Sequence, residues 1–471
     1  MISATNRVQE VDILRGIAIL GMVLSGSIAF GGLLPAWMYH AQVPPPSHQF
    51  DPTRAGITWV DLVFPFFLFC MGAAMPLSFH VQLERGVSRL SLMTVAGRRY
   101  FQLLFFALFS QHMKAWVLSK NPSSMDQVLS IFSFLLLFGQ LFDFKKLGLW
   151  SGLKWIKPIS YLIAVLLLYR LPFYDGKGFD LYRSDIIIVV LANMAFFGTL
   201  LYLVTTQHPV WRGALLVIVG SVILSARESG DHLVKSFFNF RTIVGISFDW
   251  AYKFYFLKYL FIVIPGTWAG ELFLQCRHEA KALRSLKFGL WSILTLILLI
   301  LLLSLLFMRD QTAICWMVLL GLFLGSFMRN WLLQYTSLTG SLVRYGLFFL
   351  LTGLILEPFE GGIKKDPSTF SYYFVTTGYG FLLLVVIKDF IGFKFLQSVS
   401  SFLSELGKNP LVAYVAGSLV VLPFLALTGL GDQWGSWAHT PWQGFLKGLI
   451  FTGFVSVITL YFNRRKWIWR S

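Results

Sequence analysis

Long apolar runs, broken by short polar stretches rich in Gly and Pro, set the pattern of this chain. A helix that crosses a bilayer needs about 20 mostly apolar residues. Fourteen segments approach that rule: 11–34, 57–79, 95–118, 128–144, 156–169, 185–206, 211–226, 254–276, 288–307, 312–328, 342–356, 372–387, 411–427 and 446–462. Several are short, 156–169 above all, and a short span can tilt less or fail to cross. The pattern therefore predicts an all-α polytopic membrane protein, a bundle of about 11–14 transmembrane helices. No fixed repeat and no low-complexity linker breaks it, so one domain over 1–471 is expected.

Composition supports lipid as the solvent. The 471 residues are 56% hydrophobic and 13% charged, with a mean hydropathy of +0.69; soluble domains carry roughly 25% charge. The net charge of +17 does not point to nucleic acid, because the basic residues stand in small groups between apolar runs. Such groups are topology signals. With the N-terminus on the cytoplasmic side, the inner groups are Arg85, Arg89, Arg98 and Arg99; Lys145, Lys146, Lys154 and Lys157; Arg277, Lys281, Arg284 and Lys287; and the tail RRKWIWR. Three loops run against the rule, being outer yet basic: Arg170, Lys177 and Arg183; 227–241; and Lys364 with Lys365. The first apolar run reads as a retained span rather than a cleaved leader, with an integral, multi-pass protein of a bacterial inner membrane, or its equivalent, as the expectation. Cys70, Cys276 and Cys315 are far apart and lie in or beside apolar stretches, so neither a metal site nor a disulfide framework is expected. Small-residue spacing of the GxxxG kind is sparse, and a homodimer is carried as a partner expectation beside membrane lipid.

Polar residues inside or beside spans are costly and therefore informative. In VDILRGIAILGMV, Asp12 and Arg15 share a helical face at i, i+3 and can pair. They are either an ion pair at the membrane edge or part of a site for an anionic ligand. In TWVDLVFPFF, Asp61 sits one turn into the second span. It serves the helix N-terminus or a polar pocket. Pro65, four residues on, should free the Asp61 carbonyl from its usual partner. His40 and His48 flank a proline run in the preceding loop, 31–56, which can fold back over Asp61; an Asp–His pair is a common way to orient an imidazole as a base. Asn193, alone in mid-span, reads as glue between helices. GKNPLVAY sets Lys408 and Asn409 before a span, for capping or for a phosphate. Thr369 and Ser371 read as helix capping. No GxSxG, Walker, GxGxxG or HExxH signature occurs.

Taken together, DILRGIAILGMV, WMYHA and ITWVDLVFPFFLFCMGAAMPLS resemble the opening of the heparan-α-glucosaminide N-acetyltransferase family and its bacterial relatives. IVIPGTWAGELFL, IKKDPSTFSYYFVTTG and LGKNPLVAYV also look like family segments. The resemblance implies a transmembrane acyltransferase that moves an acetyl group from cytoplasmic acetyl-CoA to an amino sugar or glycan on the far side. It places the catalytic core in 7–118 with the outer loop 31–56. It carries the active histidine onto His40 and its acid onto Asp61. Trp37, Tyr39 and His48 become acceptor-side residues. Asp12, Arg15, Arg98, Arg99, Lys408 and Asn409 become candidates for the acetyl-CoA head, which would leave a reach of roughly 30 Å between Arg15 and Asp61. The chain departs from the family by the insertion PPPSHQFDPTRAG, by LSIFSF with no arginine, and by a helix pair over 185–226. A secondary transporter or flippase is the rival reading.

Overall fold

The computed structural model describes residues 7–144, 154–226, 233–240, 242–243, 246–276, 286–327 and 337–469. The sixteen helices used below are α1 Gln9–Ser25, α2 Trp59–Glu84, α3 Arg89–His112, α4 Ser124–Leu141, α5 Ile156–Arg170, α6 Ile186–Val204, α7 Pro209–Ser225, α8 Leu260–Gln275, α9 Leu286–Met308, α10 Gln311–Phe327, α11 Ser337–Phe359, α12 Phe370–Phe390, α13 Gln397–Leu406, α14 Pro410–Ala416, α15 Leu422–Leu427 and α16 Pro441–Arg464. Strand structure among the described residues is one antiparallel pairing, Thr242–Ile243 with Ile246–Ser247. Nine described helical segments are long and apolar enough to cross a membrane, and Pro209–Ser225 and Gln311–Phe323 are shorter apolar helices. The protein is an all-α, multi-pass integral membrane protein. Of the basic groups assigned to the inner side, Lys145, Lys146, Arg277, Lys281, Arg284 and Arg470 lie outside the described residues, as do Arg227 and Arg241 of the loop 227–241.

The chain forms two compact units, residues 1–88, 259–407 and 440–448 in one and 89–258, 408–439 and 449–471 in the other. In the first, α2 and α8 approach until their backbones touch. A Cβ on Gly72 would strike the Val263 carbonyl, on Gly266 that of Phe69, and on Gly270 that of Ala73. Gly266 and Gly270 are thus a GxxxG pair spent inside the chain, in a sequence where such spacing looked sparse. The first helix is shorter than the apolar run predicts: α1 stops at Ser25, and Gly31 and Gly32 take φ of 93° and 84°. From there the chain folds back as a packed loop, anchored by Ile28, Leu34, Met38 and Tyr39 against Leu24, Trp59 and Phe445.

In the second unit, Asn193 donates to the Val189 and Ala251 carbonyls, 2.8 Å each, which is the expected glue between segments. The expected span 95–118 is broken: α3 ends at His112 and a separate turn, Ala115–Leu118, follows. The Pro410–Leu427 span contains a π-helical turn, Gly417–Val421, between α14 and α15.

Candidate active site

The site grows from the start of α2, within the first unit. Thr58 is the N-cap: its hydroxyl accepts from Val60 N–H at 3.3 Å, while the Asp61 carboxylate accepts from Thr58 N–H at 3.0 Å. This reciprocal arrangement satisfies helix N–H groups that have no partner within the helix. It occupies only Oδ2 of Asp61, which also takes Ala41 N–H at 3.1 Å. Oδ1 is left for His40, whose Nδ1 lies 2.7 Å away. Asp61 therefore plays both parts that its position suggested, cap and polar-site acid.

The arrangement fixes the imidazole. A carboxylate only accepts, so Nδ1 carries the proton in this pair and Nε2 is left as the basic nitrogen. Asp61 is 2% exposed and the His40 side chain is 38% exposed, so the imidazole faces outward from a buried carboxylate. The carbonyl of Asp61, freed by Pro65 as the sequence suggests, does not stay empty: the Tyr372 hydroxyl donates to it at 2.7 Å.

The third charged member was not foreseen. Lys365 places Nζ 3.2 Å from His40 Nδ1, 3.5 Å from His40 Nε2 and 4.0 Å from Asp61 Oδ1. It comes from the loop between α11 and α12, which Gln42 ties to the His40 loop by a two-way bond with the Asp366 backbone. Gly56 N–H donates to the Ile363 carbonyl at 2.8 Å. Below the loop, the buried Glu357 takes Arg309 at 3.3 Å and Gln311 at 2.7 Å. Burial holds the Lys365 ammonium below the usual lysine range, with Asp61 and Asp366 opposing that shift.

Two expectations are corrected. Thr369 does not cap α12: its hydroxyl accepts from Lys364 N–H, and the Glu360 carboxylate receives Phe370 and Ser371 N–H at 2.8 and 2.7 Å instead. The roughly 30 Å between Arg15 and Asp61 also falls. α1 and α2 run antiparallel, with Gly21 against Val63 and Trp59, and Cys70 lies within electrostatic reach of Asp12 and Arg15. Nine residues separate Cys70 from Asp61, about 14 Å along a helix.

The remaining candidates divide as follows. Arg15 bonds Asp12 at 3.2 Å and the Gly407 carbonyl at 3.1 Å. Trp37 is 53% exposed, whereas Tyr39 is buried and spends its hydroxyl on the Ala29 carbonyl. His48 is not part of the pair: Gly31 N–H donates to its Nε2 at 3.0 Å, and its ring sits edge-on to Tyr39 and Phe30. In the second unit, Arg98 and Arg99 are exposed on α3, and Lys408 precedes α14. The Asn409 side chain is engaged at both atoms, donating to the Trp467 carbonyl and accepting from Trp469 N–H.

Residues 7–273 match the family model described as a domain of unknown function, DUF5009, which covers more than half of the chain. The chain belongs to the DUF5009 family. His40, Asp61 and Thr58 fall within the DUF5009 match, and Lys365 and Tyr372 lie beyond it. The chain is also 34% identical over 102 residues to the heparan-alpha-glucosaminide N-acetyltransferase of Mus musculus and 35% identical over 98 residues to that of Homo sapiens. These alignments cover 22% and 21% of this chain and span 13% of the length of each relative. Among the described residues, no cluster of three or more His, Cys, Asp or Glu fit to hold a metal is found.

Proposed function

We propose that this protein transfers an acetyl group from acetyl-CoA, met at the cytoplasmic side, to an amine or hydroxyl of an amino sugar or glycan on the opposite side of the membrane. The observation that carries this reading is the His40–Asp61 pair at 2.7 Å, with the acid buried and the base exposed. Similarity over about a fifth of the chain to two N-acetyltransferases supports acyl transfer as the reaction class.

In this reading Asp61 holds His40 in the tautomer that leaves Nε2 free. Nε2 takes the proton as the acceptor nitrogen or oxygen attacks the acetyl carbonyl. The Lys365 ammonium, 3.5 Å from Nε2, stabilises the negative oxygen of the tetrahedral intermediate. Collapse breaks the carbon–sulfur bond, and His40 returns the proton to the departing thiolate. The products are acetylated acceptor and free CoA. An alternative order, with the acetyl group passing through His40 itself, uses the same nitrogen. Exposed Trp37 offers a face on which a sugar ring can rest. Arg15 and Asp12 stand on the donor side; the reach from their level to the acid is about 14 Å, short enough for an extended thiol arm running alongside α1 and α2.

The test is purified protein in detergent with isotopically labelled acetyl-CoA and glucosamine. Acceptor-dependent appearance of labelled acetylated product, with no ion gradient present, is the expected result. Folded protein that neither turns over nor binds acetyl-CoA overturns the reading in favour of a transporter.

A further inference from the structure

A separate feature of the first unit has no part in this chemistry. Helices α9, α10, α11 and α12 line a partly open cavity with about 160 Å³ of interior space. Its polarity is one-ended. Ser292, Thr295, Thr339 and Asp389 lie toward one end, and Leu302, Met317 and Leu354 line the other. Thr339 and Leu354 are fifteen residues apart on α11, about 22 Å along a helix. That is longer than one leaflet of a bilayer core, roughly 15 Å.

The polar end is built rather than incidental. Ser292 donates to the Asp389 carboxylate at 2.5 Å, and the Lys388 ammonium donates to Thr339 at 2.8 Å. Asp389 thus lines this end itself, and the Lys388 ammonium reaches it through the lining hydroxyl of Thr339. The flank is apolar and exposed: only 22% of an 18-residue apolar window within Gly289–Met308 is buried, and Ile293, Ile297, Ile300 and Leu301 are exposed. The leucine walls exclude an amide-bearing arm such as that of CoA, because its polar groups would be buried without partners. They suit hydrocarbon.

We propose that this cavity is a lipid site that holds one fatty-acyl chain of a zwitterionic bilayer phospholipid. The chain lies along α11. The phosphate meets Lys388, and the head-group ammonium meets Asp389. Affinity over bulk lipid comes from filling a protein void and from the paired charges, since a tail gains no hydrophobic transfer energy on leaving other tails.

The experiment is native mass spectrometry of the full chain released from nanodiscs of equimolar phosphatidylethanolamine and phosphatidylglycerol. The wild type is expected to retain one phosphatidylethanolamine. Leu347→Trp, which fills the cavity, is expected to lose at least four-fifths of it. Ile297→Trp, on the exposed face, is expected to keep it. No retained lipid, a preference for phosphatidylglycerol, or equal retention in Leu347→Trp overturns the proposal. Should Leu347→Trp fail to fold, crosslinking of wild type by phosphatidylethanolamine with a diazirine in its acyl chain decides. Label on α9 and α11 peptides facing the cavity supports the site, and label confined to outward-facing residues overturns it.

Discussion

Asp61 does two jobs with two oxygens, and the division gives a sharp expectation. Asp61→Asn keeps a side chain able to cap α2 but removes the acceptor that holds Nδ1–H of His40. Acetyl transfer should fall by roughly 10²–10⁴-fold, the usual worth of general acid–base catalysis, while thermal stability changes little; steady-state rates and a melting curve check both halves. Lys365 predicts a pH dependence. Its ammonium is held below the ordinary lysine range by burial, so it loses its proton at lower pH than a free lysine as pH rises. The alkaline limb of the rate profile should lie below pH 10.5 and be absent in Lys365→Arg, whose charge persists. A limb unchanged in that variant assigns it to another group. The stability sign is opposite: the folded state binds fewer protons than the unfolded one between the two values, so this lysine favours folding more as pH rises through that window. His40 and Asp61 were legible because twenty-one residues of loop and helix start join them. Lys365 was not, because it lies 325 positions beyond His40 and a loop lysine reads first as a topology signal. The same holds for Arg183, which pairs with Asp175 at 2.6 Å and lies over Phe173, so its charge against the positive-inside rule is locally compensated.

Among the helices, glycine decides who approaches whom. A Cβ on Gly16 would strike the Leu403 carbonyl, and one on Gly407 the Asp12 carbonyl. The Asp–x–x–Arg–Gly stretch is thus also a docking surface for α13, with Arg15 bonding the Gly407 carbonyl at 3.1 Å. Gly16→Val should destabilise the protein by about 1–3 kcal/mol, the usual cost of overpacking, and lower the melting temperature whether or not acetyl-CoA is present. Tyr372→Phe tests the tie between α12 and α2. It removes the donor to the Asp61 carbonyl and should cost about 1 kcal/mol, with loss of rate because α12 carries the Lys365 loop. Helix periodicity and length made these elements readable from sequence. Their ends were less so, since the halt of α1 at Ser25 depends on glycines at φ of 93° and 84° and on packing of the loop below them. The carboxylate cap of α12 by Glu360 likewise comes from tertiary placement, where a local rule pointed to Thr369.

For the molecule as a whole, the multi-pass character follows from composition alone, and the structure adds that the acid–base pair and the Asp12–Arg15 pair sit at different depths along α1 and α2. The proposed sidedness has its own check. A cysteine placed at Asp51, in the loop that carries His40, should react in intact cells with a membrane-impermeant maleimide, whereas one at Glu84, at the other end of α2, should react only after permeabilisation. Reversal of that pattern would invert the orientation. The most direct test of the central claim compares wild type, His40→Ala and His48→Ala for acceptor-dependent thiol release from acetyl-CoA. His40→Ala is predicted to lose release by at least roughly 10²-fold, and His48→Ala, which leaves the Asp61 pair intact, to stay within about tenfold, or ~1.4 kcal/mol, of wild type. Release that survives in His40→Ala, or is lost only in His48→Ala, would contradict the account.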